Sequence, residues 1–168
     1  AGPGAHRLTI SANRQSRVMQ VFVDGRVTLT GLRLTDGSAS SGGAIDLRQA
    51  QLLISGCEVS NNRSEFGGGI VVGTSTPDPS LQVNDSSIVN NVADDAGAPF
   101  NAGGVLVAGG PAKLVRVTVA GNRMPATTGA AGLYTAFDPV MLEDVTVTGN
   151  QGGTAGGVRT DAGVPLSL

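Results

Sequence analysis

The amino-acid sequence predicts an all-β fold, a single-stranded parallel β-helix of about six rungs, and three observations carry that prediction. A short slot recurs six times, closing on Asn13, Gly37, Asn62, Asn91, Asn122 and Asn150, at gaps of 24, 25, 29, 31 and 28 residues. Periods in that range belong to stacked-repeat architectures. Apolar residues recur at fixed offsets before each slot, with the two-residue alternation of half-buried strands. No stretch shows helical 3.6-residue periodicity.

The first strand of each repeat carries Ala5, Leu29, Ile54, Val83, Leu114 and Leu142, eight residues before the slot. A bend follows at Thr30-Gly31, Ser55-Gly56 and Asn84-Asp85, where small or turn-forming residues allow the shift in alternation. The second strand places Leu8, Leu32, Cys57, Ser86, Val117 and Val145 in one inward column and Ile10, Leu34, Val59, Ile88, Val119 and Val147 in another. Between them Thr9, Arg33, Glu58, Ser87, Thr118 and Thr146 face water.

Asparagine closes the strand at five of the six slots. Left-handed backbone at a bend suits asparagine, and its amide can bond backbone and its own copies one rung away. Asn13, Asn62, Asn91, Asn122 and Asn150 are therefore expected to form a structural ladder. A variable stretch then leads to Gly42-Gly43, Gly67-Gly68, Gly103-Gly104, Ala131-Gly132 and Gly156-Gly157, each before a third apolar strand. Such glycines supply positive φ and allow close backbone approach. Units with tight bends and no helices can coil, each strand stacking on its counterpart at about 4.8 Å.

The segments LTISAN, VTLTGLRLTDGSASSGGAI, CEVSNNRSEFGGGI and VTVTGNQGGTAGGV resemble the repeats of right-handed parallel β-helix proteins. They look most like those of polymorphic-outer-membrane-type bacterial surface proteins, within the pectate-lyase-like fold class. The resemblance runs from about Ala5 to Leu168. It implies a right-handed coil and an extracellular or bacterial cell-surface location. The function it implies is that of a secreted or surface solenoid whose loops serve adhesion or carbohydrate contact. Enzymes of the fold class make a polysaccharide lyase or hydrolase the alternative.

Residues 1–168 read as one domain. The chain opens mid-repeat and closes on what reads as the first strand of a further rung, so the expectation is a fragment of a longer protein. Uncapped solenoid ends also make end-to-end chain association a candidate role. A net charge of −2 argues against nucleic acid as a partner. No apolar run reaches membrane-span length. The single cysteine, Cys57, excludes an internal disulfide and falls in an inward column.

Departures from the repeat are where chemistry is sought. The longest insertion, residues 92 to 101, carries Asp94, Asp95, Phe100 and Asn101. Neighbouring rungs should bring Arg63 and Glu65 to one side of it and Arg123 to the other. If the protein is an enzyme, Asp94, Asp95, Arg63 and Arg123 are its catalytic candidates. Without catalysis, guanidinium groups around carboxylates suit a uronate sugar, and Asp94 with Asp95 are the candidate calcium ligands. The competing expectation is a surface ion-pair network. Glu65, Phe100, Asn101 and Tyr134 are the candidate binding residues, Tyr134 because alternation with Leu133 turns it outward, where with Phe137 it would offer a stacking patch. No cofactor is required by any of these readings. The calcium aspartates and basic residue of pectate-lyase-type sites, and the histidine and Arg-x-Lys of polygalacturonase-type sites, have no full counterpart: the only histidine is His6 and the only lysine Lys113.

Overall fold

The computed structural model of the chain describes residues 4, 8–75, 79–94, 100–125 and 127–168. Every strand pairing in it is parallel, and no helix occurs among the described residues. The strands stack into four sheets that wind as a solenoid of about five turns.

Sheet 1 stacks Thr9–Ser11, Arg33–Thr35, Glu58–Ser60, Ser87–Val89, Thr118–Ala120 and Thr146–Thr148. The chain then passes through sheet 2, whose strands include Arg63–Phe66, Val92–Ala93 and Arg123–Met124. Sheet 3 includes Ile45–Leu47, Ile70–Val72, Val105–Val107, Leu133–Thr135 and Val158–Thr160. Sheet 4 includes Ala50–Ser55, Ser80–Asn84, Ala112–Val115 and Val140–Glu143 before the chain returns to sheet 1.

Register follows the sequence columns. Leu34 pairs with Val59, Val59 with Ile88, Ile88 with Val119, and Val119 with Val147. With Leu29, Ile54, Val83, Leu114 and Leu142 they fill one continuous core. Stacking like on like gives each aliphatic side chain the same neighbours above and below, so a single packing solution repeats along the axis. The first rung is looser: Leu8 and Ile10 remain 42% and 37% exposed.

The bend between sheets 4 and 1 has a simple backbone cause. Gly31, Gly56, Asp85, Arg116 and Asp144 all adopt positive φ there, reversing the alternation between the two strands. At the slot, the left-handed residue is not the ladder asparagine but the one before it: Asp36, Asn61, Asn90, Gly121 and Gly149. The asparagine is thereby turned inward. Asn62, Asn91 and Asn122 are buried.

Each ladder amide has both ends occupied. Asn91 Oδ1 accepts from the Asn62 backbone N–H (3.0 Å) and from Asn62 Nδ2 (2.9 Å), while Asn91 Nδ2 donates to the Val59 carbonyl (3.0 Å). Asn122 stands in the same relation to Asn91, and Asn150 to Asn122. Asn13 departs from the expectation. It is exposed with φ of 50°, and the slot above it is Gly37, which has no amide to pass the ladder on. Gly37 only donates its N–H to Asn62 Oδ1, so the ladder runs from Asn62 to Asn150.

The glycine pairs serve mainly as space. Gly42 and Gly67 do take positive φ. At Gly68, however, a Cβ would lie 2.5 Å from the Gly103 carbonyl oxygen, and at Gly103 it would lie 2.6 Å from that of Ala131. The turn from sheet 2 to sheet 3 stacks backbone directly on backbone, which glycine permits at Gly68 and Gly103, with Ala131 in the same column on the next turn.

Candidate functional site

Two places on the coil gather chemistry-bearing side chains, and the first is the predicted charge cluster. Sheet 2 pairs Val92 with Arg63 on one side and Arg123 on the other. The two guanidinium groups therefore sit two turns apart with a valine between them. Arg63 Nε forms an ion pair with Asp94 Oδ2, the Asp94 side chain being 29% exposed. Glu65 follows on the same strand as Arg63 and is exposed, while Asp94 is half-buried. Asp95 lies outside the described residues. Among the described residues no group of three or more His, Cys, Asp or Glu side chains could hold a metal ion, so the calcium proposal has Asp94 alone to stand on there.

The other outward charges close on one another as cross-strand pairing favours. Arg33 meets Glu58 at 3.2 Å and Lys113 meets Glu143 at 3.2 Å. Arg116 grips Asp85 with two bonds of 2.6 and 3.0 Å, and this hydrogen-bonded guanidinium lowers the Asp85 pKa. Asp46 is buried and held by Arg48 (2.7 Å) and Arg17 (3.5 Å).

The second place lies on the outer face of sheet 3. One outward column there reads Asp46, Val71, Leu106, Tyr134 and Arg159, each paired with the next. Tyr134 does leave the interior, as alternation predicts, but it is fully covered rather than offered to a ligand. It belongs to a satellite core with Val71, Leu106, Ala102, Ala130 and Ala136, against which Phe66 packs. Phe100 stacks over Tyr134 with ring centroids 6.0 Å apart, and the Arg159 guanidinium sits 5.1 Å from the centre of the same ring. Phe137 meets Phe100 edge-on at 5.6 Å. The Tyr134 hydroxyl is buried without a hydrogen-bond partner. Burial first, and the nearby Asp161 carboxylate second, push its pKa well above 10.0.

Asn101 explains how the long insertion is held. It is buried rather than available for binding: its Oδ1 accepts from the Gly67 N–H (3.0 Å), and its Nδ2 donates to the Glu65 carbonyl (2.7 Å). The amide staples the end of the insertion to the turn above. Ala102, Ala130 and Ala155 then bridge in succession beside it.

Of the candidate binding residues, the structure brings Phe100 and Tyr134 together, while Glu65 stays on the exposed edge of sheet 2. Arg159 and Asp161 escaped the sequence reading, although a signal for Arg159 exists. The second residue after Gly69, Gly104, Gly132 and Gly157 is Val71, Leu106, Tyr134 and Arg159, one outward column.

A groove of about 460 Å³ on the outer face of sheet 4 was equally unforeseen. Its lining includes Pro111, Pro139 and Pro165 together with Leu53, Lys113 and Met141.

Comparison with protein-family models, with curated proteins and with solved structures finds no match to this chain. No helix among the described residues is long and apolar enough to cross a membrane.

Proposed function

We propose that this chain is a rigid solenoid of the bacterial surface or extracellular space that presents loops for adhesion or carbohydrate contact. The pectate-lyase-like and polymorphic-outer-membrane-type kinship belongs to the same proposal and rests on the repeat motifs.

One observation carries the reading. The segments that interrupt the regular turn are anchored at Asn101 and at Gly129 on the same side of the coil, where Phe100 exposes its ring. Asn101 staples the 92–101 insertion, and Gly129 receives the N–H groups of Thr154 and Ala155. Anchored loop ends lessen the conformational entropy lost on binding, which suits a recognition surface. The charge cluster supports a scaffold more than an enzyme, because Arg63 is spent on Asp94. A catalytic carboxylate needs an open approach and a second acid at a defined separation. Among the described residues Asp94 is half-buried, and its carboxylate is taken by the Arg63 guanidinium.

The test is product release from acidic and neutral polysaccharides, with and without calcium, beside an Asp94→Ala/Asp95→Ala double variant. The proposal predicts no cleavage by either protein, retained binding to at least one polysaccharide, and nearly unchanged folding of the variant, since the sequence puts both positions in the insertion between repeats. Cleavage that the double variant abolishes would instead make this an enzyme with its site on the insertion.

A further inference from the structure

The chain has four phenylalanines and one tyrosine, and three of these five rings meet at one spot on sheet 3. Phe137 is 61% exposed and Phe100 is 39% exposed. Apolar ring surface left in water is unfavourable, and the buried Tyr134 already fills the place against Phe100. Polar groups of both signs stand one turn further along sheet 3, where Arg159 covers the Tyr134 ring. Arg159 reaches Asp161 at only 3.7 Å and Thr154 Oγ1 at 3.3 Å, so its donors are loosely held. The Asp161 backbone N–H bonds the Thr135 carbonyl, which sets Asp161 one turn from the Thr135–Phe137 corner.

From this arrangement we infer that Phe100, Phe137, Arg159 and Asp161 form a binding site for a neutral pyranose. The inference deepens the carbohydrate-contact reading and rests on it. A pyranose has an apolar C–H face and a rim of hydroxyls. The C–H face covers the phenylalanine rings, the Asp161 carboxylate accepts from hydroxyls, and the Arg159 guanidinium donates to them. The charge balance selects against acidic sugars. Arg159 and Asp161 offset each other, and Asp138 follows Phe137 in the chain, so no surplus positive charge remains to draw a uronate. This separates the site from the Arg63 and Arg123 edge, where an acidic sugar was the expected ligand.

Saturation-transfer NMR, irradiating the aromatic protons, tests the site with cellohexaose, laminarihexaose and xylohexaose as neutral probes and a galacturonate hexamer as the acidic one. At least one neutral probe should bind. Phe137→Ala should weaken it about three- to tenfold, the range expected for one stacked ring. Asp161→Asn, which keeps the shape and removes the charge, should weaken the same probe. Both variants should keep the parent's circular dichroism, because these side chains lie outside the main core. Neutral binding unaffected by Phe137→Ala would overturn the site and leave carbohydrate contact standing. Binding of the galacturonate hexamer alone would overturn the ligand class in the same way. Silence from all four probes would overturn the inference together with the reading beneath it.

Discussion

Tyr134 shows how one residue can satisfy a sequence rule and still miss its expected role. Alternation sends it out of the coil, but Phe100 covers it there. Its hydroxyl is left without a partner, and burial favours the protonated form. A tyrosine whose folded pKa is raised has its full stabilising balance below the ordinary value of 10.0, and loses it as pH climbs above that. The expected outcome is that phenolate absorbance of this single tyrosine stays absent up to that pH and then emerges together with loss of the β-sheet circular dichroism signal. An ordinary titration near 10.0 in a protein that keeps its sheet signal would show that Tyr134 is exposed in solution.

At the scale of the element, the bend after sheet 1 is the structural invention of this chain. A left-handed residue turns the next side chain inward, and asparagine there replaces the hydrogen bonds that the broken strand gives up. Removing one amide orphans two groups on the neighbouring turn. In Asn91→Ala the Asn62 N–H loses its acceptor and the Val59 carbonyl loses a donor, both in the buried interior. Buried unsatisfied groups cost about 1–3 kcal/mol each, so Asn91→Ala should cost about 2–4 kcal/mol in chemical denaturation. Asn13→Ala should cost far less, because the exposed Asn13 stands outside the ladder. Equal effects at the two positions would mean that the ladder begins at the first turn after all.

The whole molecule was legible to the extent that the repeat was strict. The four aliphatic and asparagine columns run through consecutive turns, so a fixed period revealed both the coil and its register before any contact was known. The bends at Gly31, Gly56 and Asp85 and the ion pairs of Arg33 with Glu58 and of Arg116 with Asp85 follow from the same columns. Legibility failed where segments leave the period. Asn101 was read as available because it ends an insertion, yet it accepts from Gly67, 34 residues earlier, a contact that no local pattern announces. Arg159 lies 25 residues beyond Tyr134 and reaches its ring only through the stacking of sheet 3. The Gly37 break in the ladder was visible, but its consequence for Asn13 was not, because a side chain's direction there is set by the φ of its own bend.

Stacking is the claim on which the site, the ladder and the groove all depend, and a distance measurement tests it most directly. Arg33 and Thr146 sit four steps apart in the outward column of sheet 1, through Glu58, Ser87 and Thr118. Spin labels at these two exposed positions, measured by double electron–electron resonance, should report one narrow distribution consistent with a backbone separation of roughly 19 Å, four spacings of about 4.8 Å. A broad distribution, or a separation tens of ångströms longer, would contradict the coil.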